Sequence, residues 1–137
     1  MSRRGRYVID TYAWVEYLIG SEAGARTRQY IEGGNAITPS IVLTELLKWF
    51  LREIETGRRK EQEMRQVTSF IELTTEVLPL DINLATKAGE IDFLMKKRIK
   101  GWPIADSIIY ATAKENAPKI VTGDPHFRGL EDVTFIG

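Results

Sequence analysis

Short apolar runs alternate along this chain with longer stretches whose apolar residues recur every three or four positions. The short runs read as strands and the long stretches as amphipathic helices. Tyr7 to Ile9 predicts a first strand. Thr11 to Ile19 predicts a helix ended by Gly20, and Glu22 to Glu32 a second ended by Gly33-Gly34. Ala36 to Thr38 is a short strand. Ser40 is then placed to cap a long helix reaching about Glu55, with Val42, Leu43, Leu46, Leu47, Phe50 and Ile54 on its apolar stripe. Lys60 to Thr74 predicts another helix, with Met64, Val67, Phe70 and Ile71 facing inward, and Val77 to Leu80 another strand. Asp81 caps a helix from Ile82 to Ile99. Pro103 suits the first turn of a helix running to about Glu115. Ile120-Val121 and Val133 to Ile136 are the last strands. Strands and helices alternating in this order imply an α/β fold around a mostly parallel sheet.

Composition narrows the chemistry. The whole chain, residues 1–137, has the length of a single domain, and its apolar fraction of 43% fits a globular protein. Cysteine is absent, which excludes disulfides, thiolate metal sites and cysteine nucleophiles. One histidine, His126, excludes a zinc site built from several imidazoles of one chain. No apolar stretch is long enough to span a membrane, and the basic start, Met1 to Arg6, lacks the apolar run of a signal peptide. A cytoplasmic protein is expected. Nineteen basic and nineteen acidic residues give no formal net charge, so bulk charge does not point to nucleic acid. Bases do cluster, at Arg3, Arg4 and Arg6, at Arg58-Arg59-Lys60, and at Lys96-Lys97-Arg98 with Lys100. Such patches can neutralise phosphates, although solvated helix ends are the plainer reading.

Four acids carry the candidate chemistry. Asp10 follows the first strand, and Asp106 stands at the mouth of the helix after Pro103. Asp124 follows Lys119-Ile120-Val121-Thr122-Gly123, and Glu45 lies one turn into the helix from Ser40. In a parallel α/β sheet the carboxyl ends of strands and the starts of the following helices share one edge, where ligands bind. At about 5 Å and an effective dielectric of about 20, each pair of carboxylates repels by roughly 3 kcal/mol. A divalent cation removes that repulsion, and oxygen ligands suit Mg²⁺ or Mn²⁺. Each acid also has a simpler explanation. Asp10 and Asp106 could serve their helix N-termini, Glu45 could be an exposed helix acid, and Asp124 could open an Asp-Pro turn.

The wording around these acids resembles the PIN-domain ribonucleases. Asp10-Thr11 after a strand, Pro39 to Glu45, Ile104 to Ala113, and Val121-Thr122-Gly123-Asp124-Pro125-His126-Phe127 match that family's motifs in order, the last as T-x-D-x-x-F. In size the chain looks most like the VapC-type toxins of toxin–antitoxin pairs. The resemblance implies a three-layer α/β/α sandwich, metal-dependent RNA cleavage, inhibition by an antitoxin protein, and frequent dimerisation. Asp10, Asp106 and Asp124 are then the expected metal ligands, and Glu45 a ligand or a water-mediated one. Thr11 and Thr122 would orient carboxylates or bound water from behind.

The remaining candidates rank lower. His126 invites a general-base role, but metal-assisted hydrolysis needs no histidine, and packing is the expected role. Glu90 and Asp92 read as solvated acids on a long helix. Trp14, Trp49 and Trp102 could stack bases, but aromatics usually pack into cores. Trp49 and Phe50, with Trp14 and Tyr17, suggest more apolar bulk than one stripe hides, hence a surface for a second copy or an antitoxin helix. A phospho-acceptor receiver domain would need paired acids before Asp10, where Arg3, Arg4 and Arg6 stand. A haloacid-type phosphatase would need an acid where Tyr12 stands. Nucleotide-cradling glycine motifs are missing. The alternative to a nuclease is a PIN-like RNA- or protein-binding module without catalysis.

Overall fold

The computed structural model describes residues 5–117 and 119–137; the expected basic residues Arg3 and Arg4 lie outside them. Five parallel strands form one sheet: β1 Tyr7–Ile9, β2 Ala36–Pro39, β3 Glu76–Leu78, β4 Lys119–Thr122 and β5 Val133–Phe135. Six helices accompany them: α1 Thr11–Ile19, α2 Glu22–Glu32, α3 Ser40–Glu55, α4 Glu61–Thr74, α5 Ile82–Arg98 and α6 Ile104–Asn116. The strand order is β3-β2-β1-β4-β5. The first two crossovers step outward from β1, and the third returns to β1's other side. Right-handed crossovers therefore put α1 to α4 on one face and α5 with α6 on the other, giving the three-layer α/β/α sandwich.

Two aromatic clusters mark the two helical layers. Trp14 of α1 meets Tyr17 and Phe70 edge-on at 5.7 and 6.3 Å. Its indole N–H reaches the Thr38 hydroxyl of β2 at 3.2 Å, and Thr38 pairs with Thr75 at 2.8 Å. On the other side Trp102 packs on Phe127 at 5.3 Å and Tyr110 at 6.5 Å. Val8, Ile9, Ile37, Ile120 and Val121 are fully buried between the layers, which is why these strands carry unbroken apolar runs.

Helix ends follow the sequence with some differences. Gly20 closes α1 at φ +73° and sends its N–H to Glu16, and Ser21 then caps α2 through the Gly24 N–H at 3.0 Å. Asp81 caps α5 through the Leu84 N–H at 2.8 Å. Ser40 does not cap α3. It is the first helical residue, behind Pro39, and α3 begins without a side-chain cap. β3 stops at Leu78, because Pro79 offers no N–H to a further ladder bond.

Trp14, Phe50 and Trp102 are core residues, so they supply neither base platforms nor an apolar surface. Trp49 is half-buried under the Arg59 guanidinium, 5.1 Å from its ring centre. The apolar side chains that face solvent lie elsewhere, chiefly Leu73 (87% exposed), Ile82 (86%) and Phe93 (64%). Several expected phosphate-binding bases are engaged locally. Arg6 pairs with Glu76, Arg58 with Glu53 at 2.6 Å, and Lys96 with Asp92 at 2.8 Å. Among the described residues no helix is long and apolar enough to cross a membrane.

Candidate metal centre

The order β3-β2-β1-β4-β5 reverses its direction of growth between β1 and β4. The carboxyl ends of these two neighbours form the crevice where open α/β sheets bind ligands. Asp10 leaves β1 there, and Thr122, Gly123 and Asp124 leave β4.

Asp10 is buried, and both its carboxylate oxygens are engaged. Oδ1 accepts the Ala13 N–H at 2.8 Å, capping α1, and Oδ2 accepts the Thr122 hydroxyl. Thr122 Oγ1 in turn accepts the Asp124 N–H at 2.9 Å. The single hydroxyl proton is thereby committed to Asp10, so Thr122 ties β1 to the turn after β4. Burial pushes the Asp10 carboxyl up to about 8 against the bonds from Thr122 and Ala13, with Asp124 and Asp106 adding repulsion.

Asp106 sits in the first turn of α6, a position that favours an acid through the helix dipole. It is nonetheless 7% exposed, and burial followed by repulsion from Asp124 raises its carboxyl to about 7. Glu45 adds to that repulsion, so α3 brings its acid to the same place. Glu45 accepts a hydrogen bond from the Thr11 hydroxyl, which orients it.

After Asp124 the chain makes a single 3-10 turn, Pro125–Phe127, that the sequence pattern did not announce. Asp124 Oδ1 accepts the His126 N–H at 2.9 Å, the local bond expected of an Asp-Pro turn. The turn buries Phe127 and swings His126 to the acids: its Nδ1 lies 3.2 Å from Asp106 Oδ2 and 3.3 Å from Asp124 Oδ1. One ligating atom from each of Asp106, Asp124 and His126 falls within 4.8 Å of the others. Asp106 Oδ2 and His126 Nδ1 are buried without a hydrogen bond. The two atoms face each other at 3.2 Å, where a shared proton or a cation between them would satisfy both. The donor set, two carboxylates and an imidazole, fits a divalent ion.

Thus the expected acids Asp10, Glu45, Asp106 and Asp124 converge electrostatically on one edge, but the tightest cluster contains His126 in place of Asp10 and Glu45. His126, expected in a surface or packing role, packs edge-on against Trp102 at 6.3 Å and also stands beside Asp106 and Asp124. The available signal was its position two residues past Asp124 in a turn-forming Asp-Pro-His. Asp92, read as solvated, is 8% exposed, and Lys96 holds its carboxyl below the usual aspartate range, aided by Ser107.

A parallel α/β sandwich with an acidic crevice at its topological switch is the class that this fold and site define. The chain belongs to the PIN-domain family, whose model matches residues 7–133. A chain of the DNA-bound VapBC of Salmonella typhimurium superposes with a TM-score of 0.73 at 20% identity, over 96% of this chain and 98% of that one. A toxin–antitoxin complex from Klebsiella pneumoniae gives 0.70 at 18% identity, again over 96% and 98%. VapC20 of Mycobacterium tuberculosis, described as a sarcin–ricin loop cleaving toxin, gives 0.62 at 19% identity over 88% and 92%. No curated protein matches the chain by sequence.

Proposed function

We propose that this PIN domain, taken as one unit over residues 1–137, is a ribonuclease that hydrolyses RNA phosphodiester bonds with Mg²⁺ or Mn²⁺. We further propose that it is the cytoplasmic toxin of a toxin–antitoxin pair. The observation that carries the enzymatic reading is the Asp106–Asp124–His126 cluster at the switch crevice, one ligating atom of each within 4.8 Å of the others. The toxin reading is supported by the shared fold with chains of VapBC complexes.

Asp106, Asp124 and His126 would hold the ion, with Asp10 and Glu45 adding negative charge around it. A bound divalent ion lowers the pKa of its water and stabilises charge on phosphate oxygens. The chain does the rest. Thr122 and the Ala13 N–H hold Asp10 in one orientation, and Thr11 holds Glu45. Burial keeps Asp106 and Asp10 protonated to about pH 7 and 8 in the metal-free protein, so ion binding must displace those protons. Leu73, Ile82 and Phe93 offer apolar surface for an antitoxin or a second copy in a homodimer.

The test is cleavage of RNA by purified protein with Mg²⁺ or Mn²⁺, with chelator, and with Asp106→Asn. Cleavage that chelator abolishes and Asp106→Asn slows by orders of magnitude is expected. Metal-independent cutting, or full activity in the variant once contaminating nuclease is excluded, overturns the reading. RNA binding without any cutting identifies a non-catalytic module.

A further inference from the structure

The first turn of α6, which carries Asp106, starts with no side-chain cap, because Pro103 stands at the cap position. Something else must hold this turn against the sheet. The Trp102 indole N–H donates to Ser107 Oγ at 2.6 Å, and the Ser107 hydroxyl donates to Asp92 Oδ1 of α5 at 2.9 Å. The second Asp92 oxygen takes Lys96 Nζ at 2.8 Å. Trp102, Ser107 and Asp92 are 1%, 0% and 8% exposed. Ser107 directly follows Asp106, so its anchored hydroxyl fixes the backbone on which Asp106 is carried. Trp102 continues the line to the opposite wall of the crevice. Its ring meets the His126 imidazole edge-on at 6.3 Å and Phe127 at 5.3 Å.

We propose that Asp92, Ser107 and Trp102 are positioning residues whose hydrogen-bonded chain sets Asp106 and His126 at the spacing the metal centre requires. The inference rests on the reading of that crevice as a metal centre. Its chemistry is directional. The Ser107 hydroxyl has one proton, and the indole N–H can only donate. Ser107 must therefore accept from Trp102 and give its proton to Asp92. A carboxylate on α5 is the acceptor this order demands, and the ammonium of Lys96 compensates its burial. Asp92 is thus coupled to both walls of the crevice, although it touches neither Asp106 nor His126. Partners standing behind metal ligands typically change metal affinity by about 10–100-fold when removed.

The experiment uses two readouts on the full chain. One is Mn²⁺ affinity, measured by electron paramagnetic resonance. The other is the ring-proton NMR signal of His126, the chain's single histidine, recorded without metal. Asp92→Ala and Trp102→Phe are compared with wild type, and Asp92→Asn tests rescue, since its amide oxygen still accepts from Ser107. Leu84→Ala is the control for loosened packing, because Leu84 is buried with Ala88 and Ala111 between α5 and α6, about two turns before Asp92. Asp92→Ala and Trp102→Phe should weaken Mn²⁺ binding by about 10–100-fold, and Asp92→Ala, which leaves the ring beside His126 in place, should also move or broaden the His126 signal. Asp92→Asn should recover most of both, and Leu84→Ala should lower the melting temperature with neither changed. If both variants keep wild-type Mn²⁺ affinity and Asp92→Ala leaves the His126 signal unmoved, whatever happens to the melting temperature, the network is structural only and the inference falls. Absence of Mn²⁺ binding by wild type overturns the metal reading itself, and this inference with it.

Discussion

Asp106 and Asp10 have carboxyls raised by burial to about 7 and about 8, from an ordinary 3.8. A folded state that keeps its protons longer than the unfolded chain loses stability as pH rises. In chelator the contribution of these two acids is therefore complete below about pH 4 and is lost on going up through about 7 and 8. Melts at about pH 5, 7 and 9 should show falling stability, and a melting temperature that climbs over that span would contradict the cluster. Asp106→Asn relieves repulsion from Asp124, so in chelator at neutral pH it should be neutral or stabilising, by about 1–3 kcal/mol. If Asp106 were merely serving its helix terminus, the same change would lose about 0.3–1 kcal/mol, and calorimetry separates the signs. His126→Ala should cost more Mn²⁺ affinity than Mg²⁺ affinity, because an imidazole donor favours the transition metal. No loss for either ion would show His126 to be a bystander. Asp10, Asp106 and Asp124 stand out in the sequence because each lies where an apolar run stops or a helix begins, and Glu45 because it lies one turn into a helix among leucines. For His126 the sequence shows only its place two residues past Asp124; its approach to Asp106 depends on a 3-10 turn set by the local bond of Asp124 and the burial of Phe127.

Helices α1 and α2 meet at Gly24, where a Cβ would lie 2.0 Å from the Glu16 carbonyl oxygen. Backbone cannot yield as a flexible side chain does. Gly24→Ala should therefore destabilise by about 1–3 kcal/mol or more, visible as a lower denaturation midpoint with an unchanged slope. A midpoint equal to wild type would mean the two helices do not approach this closely. Helix periodicity predicted most of these elements, because long amphipathic stripes such as Val42, Leu46 and Phe50 record burial directly. Ends were harder. Ser40 has the chemistry of a cap, yet Pro39 takes that position as β2 runs straight into α3. Asp92 read as solvated because it is an acid on a long helix, and only the packing of α5 against α6 gives it Ser107.

At the scale of the molecule, a ligand that binds only the folded state raises its stability, by about 2.7 kcal/mol at a hundred times its dissociation constant. Mn²⁺ should raise the melting temperature of the wild type and shift Asp106→Asn far less. Identical shifts in both would place the ion elsewhere. Leu73, Ile82 and Phe93 should give the isolated protein a tendency to pair or to capture an apolar helix. A strict monomer by light scattering that also co-purifies with no partner would count against that. The sheet order holds a consequence in time. β1 is built first, but its second neighbour β4 pairs Tyr7 with Lys119, and Thr122 reaches back across 112 positions to Asp10. Contacts so distant along the chain form late. During synthesis everything from β1 through α6 emerges before Asp124 and His126 can meet Asp106. A chain cut short before β4 would carry Asp106 without Asp124 and His126, and the crevice between β1 and β4 would not exist.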